Sequence, residues 1–214
     1  MPFALIADLE DSRQVTERRA FAGKLRSALG EIARAFPGQW MVPITNAKGI
    51  DELSAALIRP DCAFDVAVAL NELVWPERFR WALGSGTIDI GLETGDAGNL
   101  DGSAFHRAAD ALRRAKAERL PFTLAIPGLE PGSQALIEAA ALAHAEFMAD
   151  WSQRQREFVH AARNSETQLA VAAQFHVSAQ TVSQSLMRAG FGTMRRIEIA
   201  IHSRLNEIGA EVLA

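Results

Sequence analysis

The chain runs to 214 residues, is 49% hydrophobic and 22% charged, and carries a formal net charge of −4 with one cysteine, Cys62. That much apolar material excludes a disordered chain, a lone cysteine excludes an internal disulfide and suits a reducing cytoplasm, and no apolar run approaches the ~20 residues of a membrane span. The charge is unevenly spread: residues 151–214 hold 7 Arg and no Lys against 5 acids, while residues 1–150 hold 15 basic residues against 21 acids, so contact with a polyanion is expected only in the C-terminal part.

The opening MPFALIADLEDSR has no basic n-region and meets acids at once, so a secretory signal is not expected. Residues 3–9 read as a short buried strand that is apolar until Asp8. Glu10, Asp11 and Ser12 then signal a long helix over residues 13–36, with Val15, Ala20, Phe21, Leu25, Leu29, Ile32 and Phe36 as its apolar stripe and Pro37-Gly38 as its stop. Residues 40–45 predict a second strand and Asn46-Ala47-Lys48-Gly49 a turn; residues 51–58 fit either a helical turn or the return strand of a hairpin. A helix from Pro60-Asp61 to Pro76, a strand over 79–83 that runs into Gly84-Ser85-Gly86, a loop over 93–102, a helix capped by Ser103 and a strand over 122–126 follow. The glycine pair of Gly84-Ser85-Gly86 reads as a strand bend rather than a phosphate cradle.

This order, β-α-β-(β)-α-β-α-β, predicts an α+β domain over residues 1–128 with a mixed or antiparallel sheet backed by helices on one face, the ferredoxin-like plan. Pro127 to Gly132 is the best linker signal; a linker helix is expected over residues 129–150 and an all-α C-terminal domain over 151–214, opened by the capping box Ser152-Gln153-Arg154-Gln155.

Within that last part the stretch TQLAVAAQFHVSAQTVSQSLMRAG predicts a helix-turn-helix. Leu169, Val171, Ala172 and Phe175 form one helical face, and Val182 and Leu186 lie four apart on a second helix. Ser165 with Gln168 has capping-box form, Ser178 suits the N-cap of the second helix and Gly190 the position beyond its end. His176 stands where Gly is usual in such turns, and His tolerates positive φ better than most residues. The second helix would enter a DNA major groove with Ser178, Ala179, Gln180, Thr181, Ser183 and Gln184 forward, Gln being suited to adenine, while Arg188, Arg195 and Arg196 are candidates for phosphate contacts. A homodimer is expected, formed by the first domain or by the helix near 133–150 through Leu136, Ala139, Ala143 and Phe147.

Three further stretches carry a resemblance. Ile6-Ala7-Asp8-Leu9 with Ser12-Arg13, Phe79-Arg80-Trp81-Ala82-Leu83-Gly84-Ser85-Gly86, and Asp101-Gly102-Ser103-Ala104-Phe105-His106-Arg107-Ala108 resemble the opening, the central strand and a helix start of the SatD family. The resemblance runs from end to end. It implies a DNA-binding end and a first domain similar to nucleotide-cyclase or polymerase palms, with no established reaction. A palm enzyme would hold Mg²⁺ between a carboxylate at the end of the first strand, here Asp8, and one in the hairpin turn, here Asp51 in Gly49-Ile50-Asp51-Glu52-Leu53. That turn carries one inserted residue, and a one-residue slip exchanges the faces of a strand. The expectation is therefore a cytoplasmic DNA-binding regulator whose degenerate palm-like domain, lacking a cofactor, senses a nucleotide or other small ligand or dimerises. The alternative is a metal-dependent enzyme acting on nucleotides through Asp8 and Asp51. His106, His160, Trp40, Trp75 and Trp81 read as packed or solvated side chains rather than ligands or stacking platforms.

Overall fold

A computed structural model describes residues 1–213. Its centre is a strand, β1 (Phe3–Leu9), flanked on both sides. The other strands are β2 (Trp40–Lys48), β3 (Glu52–Leu57), β4 (Phe79–Ser85) and β5 (Phe122–Ala125), in the order β2-β3-β1-β4-β5. β1 runs antiparallel to β3 and β4, β2 antiparallel to β3, and β5 parallel to β4. The residues that fitted either helix or strand are thus the return strand β3, reached through Gly49, whose φ of +57° suits a residue without Cβ.

Successive side chains of β1 point to opposite faces. Phe3, Leu5, Ala7 and Leu9 enter one core with Phe21, Leu25 and Ile32 of α1 (Arg18–Ala35) and Val66 and Leu70 of α2 (Ala63–Val74). Ala4 and Ile6 face the other way, onto Ala104 and Ala108 of α3 (Ser103–Glu118). Helices therefore cover both faces, not one as expected. The reason is the parallel β4–β5 pair: a parallel connection must cross over the sheet, and α3 is that crossover. A sheet buried on both sides also accounts for the nearly unbroken apolar run of β1.

Several element ends differ from the sequence reading. α1 begins at Arg18 rather than near residue 13, because Asp11 takes a left-handed conformation (φ 48°) and a single 3-10 turn, Ser12–Gln14, intervenes. Ser103 does not cap α3: it is its first residue, and its hydroxyl accepts the Thr87 N–H at 2.9 Å. Trp81 is buried as expected, while Trp40 and Trp75 are half-buried.

Five α-helices follow β5: α4 (Pro131–Ala149), α5 (Gln153–Arg163), α6 (Gln168–Gln174), α7 (Ala179–Arg188) and α8 (Phe191–Leu213). α4 starts at Pro131, with Glu130 accepting the Gly132 and Ser133 N–H groups, and the capping box between Ser152 and Gln155 opens α5. A second core gathers Trp151, Phe158, Val171, Ala172, Val182 and Leu186. Two helices belong to both cores. Ile137 and Ala141 of α4 sit in the first and Met148 in the second; Met194 of α8 sits in the second, and Ile201, Leu205 and Ile208 in the first. The cores consequently do not divide at residues 128 and 150, because the end of the chain folds back onto the sheet part. No helix among the described residues is long and apolar enough to cross a membrane.

Candidate nucleic-acid interface

α6 and α7 are two short helices joined by a tight turn, and each has a side-chain cap. Thr167, not Ser165, caps α6, its hydroxyl accepting the Ala170 N–H at 3.2 Å. Ser178 caps α7, accepting the Thr181 N–H at 3.1 Å. Its hydroxyl also lies 2.8 Å from that of Thr181, so both are partly occupied in holding the helix start. His176 sits in the turn with φ 53°, and the Val177 N–H donates to the Ala172 carbonyl at 3.0 Å. Ala172 and Val182 are buried where the helices meet, and Phe175 packs edge-on against Phe158 of α5 with ring centroids 5.0 Å apart. At the far end Trp151 Nε1 donates to the Ala189 carbonyl at 2.8 Å, and Gly190 turns the chain with φ 68°.

This packing leaves Ala179, Gln180, Thr181, Ser183, Gln184 and Arg188 exposed, together with Ser178. Two apolar side chains share the exposed surface. Met187 lies at i+4 from Ser183 and is 72% exposed, and Leu169 is 71% exposed. Leu169 was expected on the buried face; because α6 starts only at Gln168, the buried side is set by Val171, Ala172 and Phe175, and Leu169 falls off it. No sequence signal marked Met187, since an apolar residue within a helix ordinarily reads as core.

The three candidate phosphate-binding arginines differ in their surroundings. Arg188 and Arg196 are exposed and have no ion pair among the described residues. Arg195 donates to Glu198 at 2.7 Å. Glu198 is 3% exposed, and also accepts from Arg163 at 2.9 and 2.6 Å and from His144 Nε2 at 2.8 Å. Arg163 in turn holds Glu72 of α2 at 2.8 Å. Burial pushes the Glu198 carboxyl up, but hydrogen bonds from Arg163 and His144 outweigh it and hold the group below the ordinary carboxylate range. Burial raises the Glu72 carboxyl despite its Arg163 partner. These charges join α2, α4, α5 and α8 and so tie the helical core to the sheet part.

On the sheet, the two residues proposed for a metal come to the same end of the β1–β3 pair, the Leu9 N–H donating to the Asp51 carbonyl at 2.8 Å, and each carboxylate has a cation beside it. Asp8 lies 2.8 Å from Lys116 of α3, and Asp51 is 3.4 Å from Arg18 of α1. The residue opposite Asp8 in the ladder is Glu52, as the inserted residue in the turn implies. No group of three or more His, Cys, Asp or Glu able to hold a metal occurs among the described residues. A metal ion at either aspartate would have to displace an ammonium or guanidinium that is itself partly exposed, at Lys116 and Arg18. Titration with Mn²⁺ should accordingly give no site that depends on both Asp8 and Asp51; tight binding abolished by Asp8→Ala, with nucleotide turnover, would reverse that assignment. His106 is exposed beside Asp101, and His160 is exposed.

The sequence model of one family, the SatD family, matches residues 2–190, and the chain belongs to that family. No curated protein matches the chain.

Proposed function

We propose that this SatD-family chain is a DNA-binding regulator that reads sequence with α7, while its sheet part senses a small ligand. The observation that carries the reading is the capped α6–turn–α7 pair. Ser178 sets where α7 begins, Val182 and Leu186 face inward, and Gln180 and Gln184 are left on the open side. That is the arrangement a helix-turn-helix needs for base edges to meet the first turns of its second helix. The local charge supports it too, since residues 151–214 carry two more arginines than acids.

For the first part we read the order β2-β3-β1-β4, with its antiparallel neighbours, as the ferredoxin-like plan of palm domains, extended by β5. A degenerate palm is the favoured version, because Asp8 and Asp51 are each engaged by a cation. A cleft of about 600 Å³ supports sensing: it opens between Arg78, Arg80 and Arg119 and the flank of α4 at Leu142 and Met148. That volume is in the range of small-molecule sites, and Met148 also belongs to the core beneath α7.

Base reading and phosphate holding are separable by experiment. Gln180→Ala should cost ~1–3 kcal/mol on a selected duplex and little on a scrambled one. Arg196→Ala should weaken both alike and flatten the log–log salt dependence by about one unit. Titration of each variant against both duplexes at several salt concentrations decides it. Equal losses on the two duplexes for Gln180→Ala would remove α7 as the reading helix, and a parent chain that binds no DNA at low salt would remove the function.

A further inference from the structure

A second pocket, of about 390 Å³, opens between α2 and α8 and shares no lining residue with the cleft beside Arg78, Arg80 and Arg119. On α8, Arg195, Glu198, Ile199 and His202 follow at i, i+3, i+4 and i+7, so one stripe of the helix lines it. On α2, Asp65, Val68 and Ala69 line it at i, i+3 and i+4, and Phe36 joins them from the end of α1. The two ends of the α8 stripe differ. At one end Arg195 is half-exposed and uses a single nitrogen inside the protein, Nη1 on Glu198 at 2.7 Å. Its Nε and Nη2 have no hydrogen-bond partner among the described residues, and a guanidinium presents such donors in a planar fork that matches a carboxylate. At the other end, ~10 Å along the helix, stands His202. Its Nδ1 lies 2.6 Å from the Asp65 carboxylate; with the carboxylate accepting, Nδ1 carries the proton and Nε2 is an acceptor, with no partner among the described residues. Between the ends the wall is apolar: Val68, Ala69, Phe36 and Ile199, the last 57% exposed. A concave volume of this size, with an apolar wall and a few placed polar groups, is how small-molecule sites are built. The pairs that tie the helices together use Arg195 Nη1 and His202 Nδ1, so the atoms left over are not accounted for by the fold.

We propose that this pocket binds a small carboxylic acid with an apolar, ring-sized body and a hydroxyl at its far end. The carboxylate meets the open edge of Arg195, the body lies between Val68, Ala69 and Ile199, and the hydroxyl donates to His202 Nε2. The Asp65 and Glu198 carboxylates line the same pocket, which favours a single negative charge over a polyphosphate. α2 belongs to the first core and α8 to both, so an occupant would bridge them and stabilise the folded chain by mass action. None of this depends on DNA reading.

Calorimetric titration of the full chain with para-hydroxyphenylacetate should give one site with a Kd of ~0.1–1 mM. The matching amide, which lacks the charge, should bind ~10-fold more weakly, and phenylacetate, which lacks the hydroxyl, ~2–10-fold more weakly. Arg195→Gln should erase the first difference and keep the second; His202→Phe should do the reverse. Glu198 keeps Arg163 and His144 when Arg195 is replaced. Ile199→Ala, at an exposed position, should weaken all three ligands alike. The ligand series on the unaltered chain is a test that needs no variant. No binding of the hydroxylated acid at ~10 mM, an amide that binds equally well, or pyrophosphate that binds more tightly overturns the proposal. So does an affinity that neither Arg195→Gln nor Ile199→Ala changes, and phenylacetate binding as tightly as its hydroxylated form overturns the part given to His202.

Discussion

Glu198→Ala should cost about 3–5 kcal/mol. The carboxylate is almost wholly buried and is the shared acceptor of Arg163, Arg195 and His144. Removing it leaves Arg163 with Glu72 alone and leaves the His144 ring, 2% exposed, facing a void. A buried cation stripped of a partner is penalised far more than the intact pair contributes, which is why the truncation is severe even though the network as a whole need not be strongly stabilising. Because the network spans both cores, one cooperative transition should shift, not a local one. Glu198→Gln keeps the volume and a hydrogen-bonding edge and should cost less.

The same carboxylate sets a pH dependence. In the fold it is held below the ordinary range, so it stays ionised where the unfolded chain has already taken up a proton. Its contribution is complete above the unfolded value of ~4.3 and drains away as pH falls through the lower folded value. Glu72 works in the opposite sense: burial raises it, so the folded chain binds that proton first and gains relative stability on acidification. Unfolding by urea between pH 3 and pH 7 should therefore show stability falling below about pH 4 in the parent and a flatter profile in Glu198→Gln. A profile unchanged by that substitution would remove Glu198 as the acid-sensitive group.

What could be read from the sequence was local. The apolar run of β1, the Ser178 cap, the positive φ at His176 and Gly190 and the capping box at Ser152 each depend on residues within one turn or one strand, and each signal lies in adjacent letters. What was missed depends on distant partners. Lys116, which neutralises Asp8, is over a hundred residues away on a helix expected to lie on the common face of the sheet. The return of α8 onto Pro60 and Asp65 has no local signature, since an amphipathic helix does not say which core it joins. Arg195 is the exception: its partner Glu198 lies only three residues on, an i,i+3 spacing that neighbouring letters carry, while the burial that makes Glu198 a shared acceptor comes from Arg163 and His144 on other helices. The exposed face of α4 was legible as an apolar stripe, but whether the protein's own core covered it depended on the packing of Ile137 and Met148 on the opposite side.

Gly84→Ala should also be severe, for a reason unrelated to backbone freedom. A Cβ at Gly84 would lie 2.3 Å from the Ala104 carbonyl oxygen and 2.6 Å from the Ala108 nitrogen, both main-chain atoms of α3. Neither can swing aside as a side chain would, so α3 must move off β4 as a unit. That movement also opens the contact that Ala4, Ala56, Ala104 and Ala108 share, where small side chains allow the helix to approach closely. Overpacking a rigid contact costs typically 1–3 kcal/mol, and about 3 kcal/mol is expected here because backbone meets backbone. In a chain of this length that is a fall in Tm of ~6–12 °C. Gly38 supplies the contrast. It has φ +76° but nothing within 4 Å of a Cβ, so Gly38→Ala meets only conformational strain and should cost ~1–2 kcal/mol. Gly86, whose Cβ would lie 2.7 Å from the Ala104 nitrogen, should behave like Gly84. The glycines of Gly84-Ser85-Gly86 then serve helix-on-sheet packing, which places Lys116 at the far end of α3 against Asp8. If Gly84→Ala melted within 1 °C of the parent, α3 could not lie against β4 at this distance, and the cation that occupies Asp8 would have to be sought elsewhere.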